Sequence, residues 1–482
     1  LSSGNLWADN ITASGSIAGA LSSAIEANNL GIYNVVSYGA DPTGSSSSTT
    51  AINDAINAAS SATIPGGIIY FPPGTYLVVG DLNPGSSMIL FGPNATLKAG
   101  ATGAGSSIIS SDATLSNLTI YGLTLDLDVE DHPGAEVTAI ALDGASSADI
   151  TLERMTFING GGGAAGSLVT IGTVQAGTDF SSYHCERVRV INCNFVSLPT
   201  SGKEMIDIIS CNNSTISGCI FANCSGNASL GIYGYNDGVT VSSCIFDDNP
   251  AGEFLIVEGQ NIMVTGCVIK NSTAVTNASS QLINLQNVKI GGNIFNGNSD
   301  ITCWWQFDDS GTWEEGEYDV QFENSANVMF ESNIFSSYDA GIVLAVNTGA
   351  GYNTAPTDIV IRENVFAAVT SPISYANVSS SSYASFGFNE SWSFNPVGYL
   401  SSSALSGTVT NPYPFTCQAS VSGGTGVTNI TLTMYYPDHE WSDACDRTNL
   451  GDLYSSSRRP NIGKLYVGSH HRLVRPLSRF RI

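Results

Sequence analysis

The chain has 482 residues, of which 42% are hydrophobic and 12% charged, and its formal net charge is −25. An ordinary apolar fraction at low charge density excludes a chain disordered by charge. No run of about 20 apolar residues is present to span a membrane as a helix, and so acidic a body is a poor partner for nucleic acid.

Charge is unevenly spread. Residues 447–482 hold eight bases against one acid, so this tail is +7 and the rest of the chain −32. The tail also abandons the Gly/Ser/Asn texture of everything before it. Gly counts 51, and Ser, Thr and Asn are plentiful. These residues favour turns over helices, so many short strands joined by many turns are expected.

Residues 1–30 show no charged stretch followed by an apolar core, so a signal peptide is absent or already removed. From residue 33 to 78 the order reads strand, turn, amphipathic helix, strand. Ile52, Ala55, Ile56 and Ala59 form one apolar face at i, i+3, i+4 and i+7. Thr49 or Thr50 is placed to N-cap that helix. Such a helix closes the end of a stack of turns, where the first core layer would otherwise meet water.

The middle of the chain repeats itself. Residues 150–157, 188–195, 215–221, 239–246, 262–269, 288–295, 328–335 and 359–366 each read as a short alternating strand, a turn residue and a second short strand. Residues 118–125 are an earlier, weaker copy. The last apolar residue falls at 125, 157, 195, 221, 246, 269, 295, 335 and 366. Another strand lies between copies, at 206–209, 230–233, 254–257, 282–285 and 341–344.

Three short strands in a period of mid-twenties length describe one turn of a β-solenoid. Stacked turns share a core that no single turn can bury. At a strand spacing of about 4.8 Å, some ten turns make a rod about 50 Å long. Cys193, Cys219, Cys244 and Cys267 share one column, which Asn293, Asn333 and Asn364 then take over. Stacked identical side chains form an internal ladder. Thiols in a buried file cannot converge on a tetrahedral point. No His-Glu-x-x-His motif and no phosphate loop occurs, so no metal and no cofactor is expected.

Chemistry on a solenoid sits where loops interrupt the regular turn. In residues 123–132, inward Leu123, Leu125 and Leu127 would send Asp126 and Asp128 outward, about 6.6 Å apart, near the spacing of a paired-carboxylate site. The plain alternative is a solvated acidic edge or a Ca²⁺-binding loop. Residues 296–317 gather Trp304, Trp305 and Trp313 beside Asp308, Asp309, Glu314 and Glu315. Flat rings offer sugars a stacking face and carboxyls bind hydroxyls or protonate a glycosidic oxygen. The alternative is a lid packed on the rod or a sister subunit. A third set, Asp207, Tyr233, Asn284, Gln286, Gln321 and Glu323, would form an outward polar stripe, with Glu204, Lys203 and Arg187 nearby in sequence. Polar exteriors are the default on any solenoid. The catalytic candidates are thus Asp126, Asp128, Asp308, Asp309 and Glu314. The substrate-contact candidates are Trp304, Trp305, Trp313, Tyr233, Asp207 and Glu323.

The run VVSYGADPTG…TTAINDAINAA…GGIIYFPPGTYLV over residues 35–78 resembles the N-terminal signature of the pectate-lyase-like superfamily. The resemblance implies an all-β, right-handed parallel β-helix with an N-terminal capping helix. Members include phage tailspikes, polygalacturonase-like hydrolases and polysaccharide lyases. Residues 5–21 resemble the short repeats that attach tail proteins to virions. Residues 407–432 resemble a β-hairpin module of viral and archaeal surface proteins, implying a small C-terminal β module. The polygalacturonase-like set needs Gly-His-Gly, which this chain lacks.

The implied domains are a 1–32 attachment segment, a 33–87 opening turn with capping helix, an 88–395 β-helix, a 396–446 β module and the 447–482 basic tail. The implied function is a virion tailspike or surface protein that binds, and in its enzymatic form depolymerises, a host-surface polysaccharide. The alternatives are a secreted polysaccharide hydrolase or lyase and a non-catalytic structural adhesin or particle component. The expected partners are a cell-surface glycan, two further copies in a homotrimer, and other tail proteins through residues 1–30. The expected location is extracellular or on the virion surface.

Overall fold

The computed structural model describes residues 31–62, 65–100, 106–127, 137–160, 167–173, 184–198, 204–224, 228–247, 253–270, 277–297, 302–307, 325–346, 356 and 359–376. It also describes strand pieces at 419–420, 429–436, 439–446, 466–467 and 472–474.

The body is a right-handed parallel β-helix with three strand faces. The first face runs through Ser106–Ser111, Val137–Leu142, Val169–Ile171, Ile206–Ile209, Ala228–Tyr233, Glu253–Gln260 and the start of Asn277–Gly291. It continues through Thr302–Phe307, Ala340–Val346 and Ser371–Ala376. The second face begins with Ile32–Asn34, Gly67–Tyr70, Met88–Phe91, Ser116–Tyr121 and Ala148–Glu153. The strand Asn277–Gly291 runs from the first face onto the second, so both belong to one 23-stranded sheet. The third face is a 12-stranded sheet from Thr43–Ser47 to Val365–Ala367. Each solenoid pairing is parallel, and twelve strands at about 4.8 Å make a stack about 50 Å long.

The repeat aligned in the sequence is the register of the molecule. On the third face Leu125 pairs with Phe157, Phe157 with Phe195, Phe195 with Phe221, and Phe221 with Phe246. The column continues through Ile269, Phe295, Phe335 and Phe366. Its rings stack face to face: Phe195–Phe221 and Phe221–Phe246 centroids are 4.9 Å apart and Phe295–Phe335 centroids 4.5 Å. Parallel in-register pairing leaves equivalent rings no other arrangement, since the strand spacing sets the ring spacing.

The Cys/Asn column is internal, as expected. Cys193, Cys219, Cys244 and Cys267 are fully buried, as are Asn293 and Asn333. At the changeover Asn293 Oδ1 accepts from the Cys267 N–H at 2.9 Å. Asn333 Oδ1 then accepts from both the Asn293 N–H and Nδ2, at 3.0 and 3.1 Å. Asn364 Oδ1 takes the same two bonds from Asn333, each 2.9 Å. Thiol neighbours and burial push the Cys219 and Cys244 thiols up to about 12.

The helix α1 spans Thr49–Ser60 and buries Ile52, Ala55, Ile56 and Ala59, the face the sequence indicated. Its N-cap is Ser48, not Thr49 or Thr50, and Ser48 makes no side-chain capping bond. Its hydroxyl is spent on Asp41, accepting from the Asp41 N–H at 2.9 Å. The Thr49 hydroxyl ties the helix to the residue just past the strand Gly74–Val78 instead, accepting from the Val79 N–H at 2.7 Å.

Outward positions on the third face form a row of β-branched side chains, in register from Ile220 through Ile245, Val268, Ile294 and Ile334 to Val365. Ile294 is 43% exposed and Ile334 41%. Beyond the solenoid, Asn429–Tyr436 and His439–Asp446 pair antiparallel as a hairpin. Among the described residues no helix is long and apolar enough to cross a membrane.

Candidate functional site

The first face carries a polar cluster assembled from three successive turns. Val169 and Ile171 point inward, as do Ile206 and Ile208, and Leu230 and Ile232. Alternation therefore turns Thr170, Asp207 and Gly231 outward, and the parallel register sets these three side by side. The backbone alone thus builds an outward column, which continues through Ile256, Gln281 and Gln306.

Four side chains interlock around this column. The Ser167 hydroxyl donates to Asp207 Oδ2 at 2.5 Å and lies 3.4 Å from Glu204 Oε2. The Tyr233 hydroxyl donates to Glu204 Oε1 at 2.7 Å. Ser167, Glu204 and Asp207 are buried, with Asp207 8% exposed. The shared serine holds the two carboxylate oxygens within about 6 Å of each other, in the range of a catalytic carboxyl pair.

Glycine 231 is what lets the cluster close. A Cβ there would come closer than 3.0 Å to both Asp207 Oδ1 and the Tyr233 ring. The missing side chain is the space that Asp207 and Tyr233 occupy. The Tyr233 ring packs on Ala228, Ile256 and Ile283, a small apolar cluster separate from the main core. That support fixes the ring, and the ring fixes where its hydroxyl meets Glu204.

Glu258 is a separate acidic group one turn further on, at the end of Glu253–Gln260. Its Oε2 accepts from the Gly234 N–H at 2.7 Å. Burial pushes its carboxyl up to about 7, against the pull of that bond. A carboxyl poised near neutrality can exchange a proton at ordinary pH.

The residues named from sequence are distributed differently. Asp207 and Tyr233 lie in the cluster. Asp126 lies on the third face, turned outward between Leu125 and Leu127, where its Oδ1 accepts from Asn159 Nδ2 at 2.9 Å. It therefore belongs to a different side of the rod from Asp207. Trp304 stands on the first face, half-buried, and its indole N–H is buried with no hydrogen-bond partner among the described residues. Trp305 corrects the expectation: it is fully buried, packed edge-on against Phe295 and Phe330 at 5.8 and 4.9 Å, and offers a ligand no surface. Alternation admits one of two adjacent tryptophans to the exterior and sends the other into the core.

The polar stripe is likewise shorter than expected. Asn284 is buried, with φ +46°, where the register shifts between Glu258 and Gly259. Gln286 pairs with Ala326 on the second face. Arg187 is held by Asp149 through two bonds of 2.8 and 2.9 Å. Asp128, Asp308, Asp309, Glu314, Trp313, Gln321, Glu323 and Lys203 lie outside the described residues. Ser167 and Glu258 were not singled out from sequence, although Glu258 follows an alternating strand and falls on its outward parity.

The model of the family described as rhamnogalacturonase A/epimerase, pectate lyase-like matches residues 32–302. A search of curated proteins returns no match. Among solved structures, the Streptococcus pneumoniae surface adhesin PfbA is 17% identical with a TM-score of 0.50, covering 73% of this chain and 94% of its own. An exopolygalacturonase from Thermotoga maritima is 12% identical with a TM-score of 0.44, covering 88% of this chain and 98% of its own. Geobacillus virus E2 ORF18 is 17% identical with a TM-score of 0.39, covering 75% of this chain and 66% of its own. Likeness at such identity speaks to fold alone. The match over more than half of the sequence, on a solenoid whose register the sequence repeat predicts, places the chain in the rhamnogalacturonase A/epimerase, pectate lyase-like family.

Proposed function

We propose that this protein is a virion tailspike or surface protein that engages a host-surface polysaccharide along the first face of its β-helix. One observation carries the reading: Glu204 and Asp207 are drawn together through Ser167, with Tyr233 capping Glu204, on one outward column. Solenoid exteriors are ordinarily polar, but they do not ordinarily bury two carboxylates against one hydroxyl. The resemblance of residues 5–21 to virion-attachment repeats supports the tailspike assignment.

The carboxyl pair has the spacing for glycosidic cleavage. One carboxyl gives its proton to the glycosidic oxygen as that bond breaks. The other carboxylate takes the anomeric carbon, and water then releases a new reducing end. Trp304 is the proposed stacking contact on the same face. Asp308, Asp309, Trp313, Glu314 and Glu323 stay in the proposal as flanking contacts, because that segment follows Phe307 directly. We place the contact between subunits of a homotrimer on the exposed apolar row of the third face.

The test is incubation of the full chain with host-surface glycans, reading binding, product size and reducing ends. New reducing ends lost in Asp207→Asn support the spike as a hydrolase. Unsaturated ends point to a lyase. Binding without product leaves an adhesin, and no binding to any host glycan overturns the proposal.

A further inference from the structure

We infer that the internal file of Cys193, Cys219, Cys244 and Cys267 is a binding site for a soft, two-coordinate cation of the copper(I) class, gripped end to end between successive rungs. The file lies inside the rod, away from the outward polar cluster, so the two sites are independent.

The backbone sets the spacing of the rungs. Each cysteine carbonyl accepts from the following turn: Cys193 from the Ile220 N–H at 2.9 Å, Cys219 from Ile245 at 2.8 Å, Cys244 from Val268 at 2.9 Å and Cys267 from Ile294 at 2.9 Å. All four are free thiols and fully buried. Each thiol donates to the carbonyl two residues before it, at 3.4, 3.5, 3.4 and 3.5 Å along the file. The four side chains thus point the same way, and their sulfurs share the rise of the strands. The aromatic column two residues further on measures that rise: Phe195–Phe221 and Phe221–Phe246 centroids are each 4.9 Å apart. A disulfide needs Cβ atoms about 3.5–4.5 Å apart, closer than the roughly 4.8 Å of equivalent atoms on paired strands. Two metal–thiolate bonds of about 2.3 Å, set in line, span about 4.6 Å. The rise that disfavours a disulfide therefore fits a sulfur–metal–sulfur bridge.

Thiolates select copper(I) over hard cations. Among the described residues no three His, Cys, Asp or Glu side chains are placed around one ion, but a linear bridge needs only two ligands. Met155 is fully buried and holds the rung before Cys193, its carbonyl accepting from the Asn194 N–H at 2.8 Å. It puts a thioether, another soft donor, at the head of the file. An apolar interior penalises net charge. One Cu⁺ displaces one proton, Cu⁺ + 2 RSH → RS–Cu–S(H)R + H⁺, so the bridge is neutral and no oxidation state changes. Bridges Cys193–Cys219 and Cys244–Cys267 use each sulfur once, and the file holds two ions.

The experiment titrates the full chain with copper(I) in the absence of oxygen against a copper(I) chelator. Copper is added both to the folded chain and during refolding, since buried rungs admit an ion only when turns open. Mass spectrometry counts copper per chain, X-ray absorption at two equivalents reads its neighbours, and thermal melts are run with and without metal. The comparison is Cys219→Ser/Cys244→Ser, which keeps a hydroxyl in each rung and leaves Cys193 and Cys267 about 14 Å apart. The parent chain should hold two more coppers than the variant, each bound by two sulfurs and nothing else. Loading should raise the melting temperature of the parent by about 5 °C or more and leave that of the variant unchanged, because the ion binds the folded file. Equal copper in the two proteins overturns the inference, as does coordination by three or four sulfurs, or a melting temperature that falls on loading. If the variant does not fold, the absorption spectrum and the melt of the parent chain decide by themselves.

Discussion

The Tyr233 hydroxyl reaches Glu204 across one turn of the solenoid, at 2.7 Å, while its ring rests on Ala228, Ile256 and Ile283. Tyr233→Phe keeps the ring and deletes the hydroxyl's bond to Glu204. Stability should fall by about 1 kcal/mol. Glycan binding or cleavage should fall about tenfold or more, because Glu204 loses the hydroxyl bonded to its Oε1. Thermal melts and reducing-end assays read the two effects separately. A variant of full activity would show that the hydroxyl aims nothing.

Gly231→Ala tests the same cluster sterically. The added methyl meets the Tyr233 ring and Asp207 Oδ1. Both outward side chains must move, while the inward core residues Leu230 and Ile232 stay packed. Function should be lost at a stability cost of about 1–3 kcal/mol, typical of overpacking. Activity equal to the parent chain would remove Asp207 and Tyr233 from the site.

Glu258 predicts a pH dependence with a definite sign. Its carboxyl has a raised pKa, about 7 in the folded chain against an ordinary 4.5, so the folded state holds the proton more tightly. The stability it contributes is complete below about pH 4.5 and is lost as pH rises through 7, on the order of 3 kcal/mol. Glu258→Gln should flatten the melting-temperature profile over that window and melt higher than the parent chain at pH 8. Parallel profiles for the two proteins would refute the assignment.

The internal ladder is unequal along its length. Asn333→Ala orphans the Asn293 N–H and Nδ2, both buried, and should cost about 2–4 kcal/mol. Cys244→Ala removes only a weak thiol donor and a small volume, and should cost about 1–2 kcal/mol. Urea unfolding of the two variants measures the difference. Equal costs would mean that the amides contribute packing and not hydrogen bonds.

The apolar row on the third face bears on assembly. Ile294→Asp with Ile334→Asp changes two half-exposed side chains and should leave the fold of a single chain intact. If the proposed trimer uses this row, light scattering should show the variant one-third the mass of the parent assembly. An unchanged mass would move the contact to another surface.

Local repetition made the solenoid legible. Phe157, Phe195, Phe221 and Phe246 occupy the same place in each copy of one pattern, and a parallel stack puts such equivalents on top of one another. The same logic carried the Cys193-to-Asn364 column and the apolar face of the capping helix. The N-cap was less legible, because the Ser48 hydroxyl is claimed by Asp41, a competition that arises only once the opening turn has closed.

Sequence by itself therefore determined the core, since which residues stack depends on their place in the repeat and on the two-residue alternation of a strand. Tertiary structure decided the site. Ser167, Glu204, Asp207 and Tyr233 come from three turns and meet only because parallel register carries them to one column, over a glycine that leaves them room. It also decided parity where the repeat is irregular. Trp304 and Trp305 are chemically alike, and only the pairing of their strand sends Trp305 inward. Asn284 is polar in sequence and buried in fact because the register slips beside it, and a slip of one residue exchanges the two faces of a strand.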